Sequence, residues 1–319
     1  MKVAITGASG HVGAALVRAL LEQGAHVRAL VRGDTRAIEG LDVERVSGDV
    51  ADPSALERAF HGVEVVYHAA ARITLEPEHD PAAHATNVDG TRNVLQACKR
   101  SGARRLVHFS TVHALRPDGA GLLGPGEGFA YERSKVAAEK LVLADQEVDA
   151  VIVSPCAVVG PFDHKPSHIG RVLLMLERGL LLATVTGGQS WVDVRDIALA
   201  ATRAAERGRR GARYVVSGHF RSMQEFSTLA SRAAGVRAPL MAFPAGLARA
   251  FAPLAERGAA LLRSEPLITR ASLAALEDAP RAIDDAAARD LGHAPRPLEE
   301  TLRDTFDWFR AQKKLRTRR

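Results

Sequence analysis

The chain has 319 residues, 46% hydrophobic and 25% charged, a globular composition long enough for one large α/β domain or a nucleotide-binding domain with a smaller lobe built on it. Its two cysteines, Cys98 and Cys156, are far apart and exclude a disulfide framework or a zinc ribbon, and no stretch reaches the roughly 20 apolar residues of a membrane span, so the cytoplasm is the expected location. The net charge of +6 does not point to nucleic acid: Arg310, Lys313, Lys314, Arg316, Arg318 and Arg319 supply the whole excess, which makes it a basic tail.

Short apolar runs alternate with amphipathic stretches through the first half. Val3–Thr6 predicts a strand, His11–Gln23 a helix that Gly24 would stop, and His26–Val31 a second strand. Val43–Val46, Glu64–His68, Arg105–Ser110 and Ala150–Ser154 repeat the strand signal, with helices expected over Pro53–Phe60, Ala82–Arg100 and Tyr131–Glu147. Strands alternating with helices imply parallel crossovers, hence an α/β, Rossmann-like, doubly wound parallel sheet. After Ser154, Pro155, Pro161 and Pro166 break the rhythm. A helix is expected at Gly170–Arg178 and strands at Trp191–Val194 and Tyr214–Ser217, with much of the remainder helical. Leu298, Leu302, Phe306 and Phe309 recur at helical spacing on a last helix. The expected organisation is a cofactor-binding domain over 1–160, a mixed region over 161–309 that is mainly a smaller C-terminal substrate lobe with returns to the sheet, and the tail 310–319. Pro117–Gly128, rich in glycine, predicts a mobile loop.

Thr6-Gly7-Ala8-Ser9-Gly10-His11-Val12-Gly13 joins the first strand to the first helix. Glycine there permits a tight turn and a close backbone approach to a pyrophosphate, and the helix start offers unpaired N–H groups to the phosphates. Gly7, Gly10, His11, Val12 and Gly13 are therefore candidate cofactor-binding residues. The end of the second strand chooses between the two nicotinamide cofactors, because an acid there accepts from the ribose hydroxyls and repels a 2′-phosphate. Val31 stands in that place and Arg32 follows, a guanidinium able to fork onto a phosphate. NADP(H) is expected to be preferred, and Asp34 keeps NAD(H) open.

Tyr131-Glu132-Arg133-Ser134-Lys135 puts a phenol and an ammonium four residues apart, on one helix face. A neighbouring ammonium would lower the phenol's pKa and so ease proton exchange. Thr111, at the end of the preceding strand, could orient a carbonyl oxygen, with Ser110 as the competing hydroxyl. Asn87 lies early in an earlier helix.

TGASGHVG, Gly48-Asp49-Val50, His68-Ala69-Ala70-Ala71, TNVDGT, FSTV, YERSK, Ser154-Pro155, Val159-Gly160-Pro161, Trp191-Val192-Asp193-Val194 and Leu291-Gly292-His293-Ala294-Pro295 fall in the order of the extended short-chain dehydrogenase/reductases. The chain resembles that superfamily over nearly its whole length. The Val-Arg end of its second strand is most similar to the dihydroflavonol-4-reductase-like branch, with hopanoid-associated epimerase-like proteins and 3β-hydroxysteroid dehydrogenases as close relatives. The resemblance implies that Gly7, Gly10 and Gly13 hold the pyrophosphate, Asp49 and Val50 border the adenine, and Ala69, Ala70 and Ala71 line the cofactor channel. It adds Asn87, Pro155 and Val158 to the cofactor-binding positions. Thr111 would position the substrate oxygen, Tyr131 would exchange the proton, and Lys135 would bind ribose and tune Tyr131.

Two departures bear on substrate. Nucleotide-sugar epimerases carry Asn before the proline that is Pro155 here and Arg near the place of Gln189, both serving the diphosphate; this chain has Ser154 and Gln189. The 4,6-dehydratases put Asp-Glu after the threonine, where Val112-His113 stand. Both departures favour a smaller or more apolar carbonyl compound. Arg171 or Arg221 could still supply a phosphate site from the second lobe. His164 and His168 flank Pro166 and make no helical metal pair, so no metal is expected. His113 reads as an ordinary loop residue and Cys156 as a small buried hydrophobe. The expected function is an NADP(H)-dependent oxidoreductase that reduces an aldehyde or ketone. The alternatives are a nucleotide-sugar epimerase and a non-catalytic cofactor-binding sensor or scaffold. A small-molecule substrate is the expected partner, with a homodimer open and nucleic acid and a membrane span not expected.

Overall fold

The computed structural model describes residues 1–74, 79–116, 121–250, 269–277 and 285–313. Its strands are β1 (Lys2–Thr6), β2 (His26–Val31), β3 (Val43–Ser47), β4 (Val65–His68), β5 (Arg105–Phe109), β6 (Ala150–Pro155), β7 (Ala157–Val159), β8 (Ala183–Val185), β9 (Gly188–Asp193), β10 (Arg213–Val216), β11 (His219–Ser222) and β12 (Met241–Phe243). Seven form one parallel sheet in the order β10-β6-β5-β4-β1-β2-β3. The order reverses between β1 and β4, and in such sheets the crevice beyond the strand ends at the reversal is where ligands bind.

Helices cover both faces. They are α1 (His11–Glu22), α2 (Pro53–Phe60), α3 (Pro81–His84), α4 (Gly90–Ser101), α5 (Ala130–Ala144), α6 (His168–Glu177), α7 (Val194–Arg207) and α8 (Met223–Ala234). Alternation along the strands sends Val3, Ile5, Tyr67, Val107 and Val153 toward α1 and α7, where they meet Leu16, Leu20, Ile197 and Ala201. Ala4, Val66, Leu106 and Ile152 point the other way, toward Leu56, Phe60, Val94 and Val142.

A third cluster lies beyond the sheet. The last helix, Leu298–Ala311, buries Leu298, Leu302, Phe306 and Phe309, the stripe that helical spacing predicts. It packs with α6, α8 and Trp191, whose ring stacks on Phe226 at 3.9 Å between centroids. Small sheets β11-β9-β7 and β12-β8 complete this region. Of their strands only β9 is announced in the sequence, because the others have three or four residues, too few to show a periodicity.

Several boundaries differ from expectation for local reasons. The helix expected over Ala82–Arg100 is interrupted by a π-helical turn at Ala85–Asp89, where Thr91 Oγ1 donates to the Asn87 carbonyl at 2.6 Å. α5 stops at Ala144 rather than Glu147, because Asp145 Oδ1 accepts the N–H groups of Glu147 and Val148, both at 3.0 Å. α6 begins at His168 because Ser167 Oγ caps Gly170 N at 3.1 Å. The strand expected through Val194 ends at Asp193, whose carboxylate accepts Arg195 N–H at 2.7 Å and starts α7. Residues 117–120 of the expected loop lie outside the described residues, and Leu122 bridges to Leu115. Of the basic tail, residues 314–319 lie outside them, while Arg310 ends the last helix paired to Asp307 at 2.8 Å. No helix among the described residues is long and apolar enough to cross a membrane.

Candidate active site

The glycine turn occupies the reversal point. Gly7 has φ +78°, and a Cβ there would lie 2.5 Å from the backbone of Ala69 and Ala70. A Cβ on Gly13 would sit 2.1 Å from the Gly7 carbonyl oxygen. The turn is thus pressed against the Ala69–Ala70 segment and α1 against the turn, a packing that any side chain would open. Gly10 precedes α1 with no side-chain cap, which leaves the N–H groups of the first turn, from His11, Val12 and Gly13, directed at the crevice. These residues fit a bound dinucleotide pyrophosphate. The His11 ring turns elsewhere: its Nε2 meets the carbonyls of Gly160 and Pro161 at 3.2 and 2.9 Å and joins α1 to the segment after β7.

At the adenosine end, Arg32 Nη1 lies 3.1 Å from Asp49 Oδ2, with the arginine side chain largely exposed. Asp49 Oδ1 also accepts Ala51 N–H at 2.9 Å. Val50 is buried against Gly90, where a Cβ would meet it at 2.6 Å. Asp34, the residue that kept an NAD reading open, is engaged by Arg36 at 2.9 and 2.5 Å. That hydrogen bonding holds its carboxyl well below the usual range.

Beneath the crevice runs a buried polar chain. Ala70 N–H donates to Thr6 Oγ1 at 3.3 Å, Thr6 Oγ1 meets His68 Nδ1 at 2.7 Å, and His68 Nε2 meets Thr91 Oγ1 at 3.0 Å. Because the Thr91 hydroxyl hydrogen goes to Asn87 O, Nε2 carries the imidazole proton and Nδ1 accepts. Burial first, and the Lys135 charge second, push His68 down to about 3. The Asn87 amide is spent on protein: it accepts from Arg72 N at 2.8 Å and donates to Arg72 O and Ser134 Oγ, both at 2.9 Å. It therefore clamps the segment following Ala71 onto α5. Sequence reasoning placed Asn87 at the cofactor and missed this clamp.

α5 starts where Glu132 accepts Phe129 N–H at 2.8 Å, which sets Tyr131 in its first turn and Lys135 one turn on. Just past β5, Thr111 is the hydroxyl residue whose side chain acts on the Tyr131 phenol. Ser110 donates to Glu139 Oε2 at 2.6 Å, so of the two hydroxyls Thr111 is the one left to act with the phenol. Lys135 is buried and donates to the Phe109 carbonyl at 2.5 Å. Burial lowers its pKa to about 8 against the opposing pull of Glu139. The phenol departs from expectation: Tyr131 is pushed up to about 12, by burial first and Glu132 second, with the Thr111 side chain working the other way. The Lys135 ammonium is turned onto the Phe109 carbonyl instead.

The remaining candidates divide. Pro155 closes β6 and pairs with Val216, and Val158 is half-buried on β7 opposite Val192. Cys156 is buried, and burial pushes its thiol up to about 12. Ser154 is fully buried. Gln189 is also buried and donates to Ala275 O at 2.5 Å, which ties β9 to the helix Arg270–Glu277. Arg221 Nη1 is turned onto the Phe220 carbonyl at 2.7 Å. His113 N–H donates to Thr111 Oγ1 at 3.3 Å, closing a short turn after β5. Among the described residues no group of three or more His, Cys, Asp and Glu side chains could hold a metal ion.

Residues 3–217 match the family described as NAD dependent epimerase/dehydratase. The chain belongs to this family. It is an NAD(P)-dependent oxidoreductase of the extended short-chain dehydrogenase/reductase type. Sterol demethylase protein B of Methylococcus capsulatus (strain Bath) is 35% identical over 97% of this chain and 98% of its own length. A putative dihydroflavonol 4-reductase of Synechocystis (strain Kazusa) is 34% identical over 96% and 93%, in keeping with the branch suggested by Val31-Arg32. The crystal structure of gox2253 superposes with a TM-score of 0.84 at 32% identity, covering 98% of this chain and 99% of that one.

Proposed function

We propose that the protein is an NADP(H)-dependent reductase of a ketone or aldehyde carried on a small or apolar molecule. The observation that supports this most directly is the placement of Tyr131 and Lys135 one turn apart on α5, with Lys135 buried and the Thr111 side chain acting on the phenol. When bound, NADPH supplies the hydride that reduces the carbonyl carbon. Thr111 orients the carbonyl oxygen, and Tyr131 gives its hydroxyl proton to that oxygen as the alcohol forms. A phenol held at about 12 is protonated at neutral pH, the state a proton donor needs. Lys135, short of partners beyond the Phe109 carbonyl, has further N–H groups for the nicotinamide ribose. Gly7, Gly10 and the first turn of α1 take the pyrophosphate, and Arg32 exchanges Asp49 for the 2′-phosphate.

An apolar substrate is favoured over a nucleotide sugar because the two positions that would serve a diphosphate are closed. Ser154 is buried within the sheet and the Gln189 amide is spent on Ala275. Two relatives carry a sterol and a dihydroflavonol in their names, both ring systems without a phosphate. The test is to follow NADPH absorbance with a panel of apolar ketones and aldehydes, and to resolve products after incubation with UDP-glucose and UDP-galactose. Net NADPH oxidation with a ketone or aldehyde is expected. Interconversion of the sugars without net cofactor consumption would replace this reading with an epimerase.

A further inference from the structure

Glu139 follows Lys135 by four residues and Tyr131 by eight, so the three share one face of α5. Its carboxylate is fully buried. Such a charge is costly inside a fold unless it is met, and each partner here belongs to the frame of the site. Ser110 Oγ, one residue before Thr111, donates to Oε2 at 2.6 Å. Arg213 on β10, the edge strand of the main sheet, engages Oε1 through Nε and Nη2. One carboxylate therefore ties α5 to the end of β5 and to β10.

The charges around Lys135 make this arrangement more than a structural ion pair. From β4 and β5, His68 and His108 face the ammonium, and both are neutral at ordinary pH because burial lowers them strongly. Tyr131 on the same helix is a neutral phenol. Arg213 on β10 is turned onto Glu139. Glu139 is thus the negative charge that offsets the burial of the lysine.

We propose that Glu139 is a positioning residue of this site, which keeps the Lys135 ammonium charged inside the fold and, through Ser110 and Arg213, fixes α5 against the strand end that carries Thr111. This rests on the roles given to Lys135 and Tyr131 above.

The experiment is an NMR titration of the full chain with 13C-labelled lysine side chains, the Lys135 signal being identified by its loss in Lys135→Arg. Removing an opposite charge at this range moves a titration by about one pH unit or more. Glu139→Gln is expected to lower the Lys135 midpoint by that amount, and Arg213→Gln to raise it. A structural disturbance alone would not move the two in opposite directions. Glu139→Gln/Arg213→Gln leaves neither charge unpaired and serves if the single variant fails to fold; its midpoint should still fall, by less. With a ketone that the wild type reduces, the alkaline limb of kcat in Glu139→Gln should shift to lower pH by the same amount. A Lys135 midpoint unchanged in whichever of the folded Glu139→Gln proteins is measured overturns the proposal. The NMR arm needs no turnover, so a failure of the reductase reading would show separately, as absence of NADPH oxidation beside an intact shift.

Discussion

The Arg32 guanidinium lies 3.1 Å from the Asp49 carboxylate, joining the loop after β2 to the loop after β3 where the adenosine half of a dinucleotide would lie. Arg32 is 74% exposed, and an ion pair this open contributes little to stability. The guanidinium can therefore leave Asp49 for a phosphate at small cost.

That exchange predicts tighter binding of NADPH than of NADH. A charge-assisted contact to the 2′-phosphate is worth about 1.5–3 kcal/mol. Arg32→Ala should accordingly weaken NADPH by about one to two powers of ten and leave NADH nearly as it was, as measured by quenching or enhancement of nicotinamide fluorescence. Equal dissociation constants for the two cofactors in the wild type would sink the preference.

Tyr131→Phe keeps the ring and removes the hydroxyl. Proton transfer by a positioned group is worth roughly 10²- to 10⁴-fold, so kcat on an accepted ketone should drop by that much while NADPH affinity holds. Lys135→Ala should lose both turnover and affinity, since the ammonium serves the ribose as well as the site's charge balance. A Tyr131→Phe protein that retains most of its activity would remove Tyr131 as the donor.

His68 and His108 lie 5.3 Å apart between ring centroids beneath the crevice, both fully enclosed. Burial first, with Lys135 adding to it, lowers both, His68 to about 3. A base whose folded pKa is depressed stabilises the fold fully above its unfolded value, near 6.5, and that stability is lost as pH falls through the window toward the folded value. Each such histidine should take away about 2 kcal/mol between pH 6.5 and pH 5. Lys135 adds nothing in this window, because its folded value of about 8 already lies above it. Denaturant unfolding at pH 7 and pH 5 should show the loss, and His108→Phe should shrink the difference by about 2 kcal/mol. A variant with the wild-type pH slope would mean that His108 is not held neutral.

The π-turn at Ala85–Asp89 shows where reading along the chain stops. A helix was legible there from apolar spacing, but its widened turn follows from Asn87 reaching Arg72 and Ser134, residues 15 before and 47 after it. The expected lowering of the Tyr131 phenol failed for a similar reason. The spacing puts Lys135 one turn from Tyr131, but the ammonium's bond to the Phe109 carbonyl could not be read from it.

The sequence by itself determined the alternating strands and helices, the glycine turn ahead of α1, the shared face of Tyr131 and Lys135, and the buried stripe of the last helix. All of these are periodic or local, and each is written within about a dozen consecutive residues. Only the tertiary structure decided that Ser110 is spent on Glu139, that Arg32 is held by Asp49, that Ser154 and Gln189 are buried rather than open to a phosphate, and that Arg213 closes the sheet against Glu139. In each of these, neighbouring strands or loops bring together groups far apart in the chain, and the partner of a buried polar atom is set by which of them lies within about 3 Å once the sheet has formed.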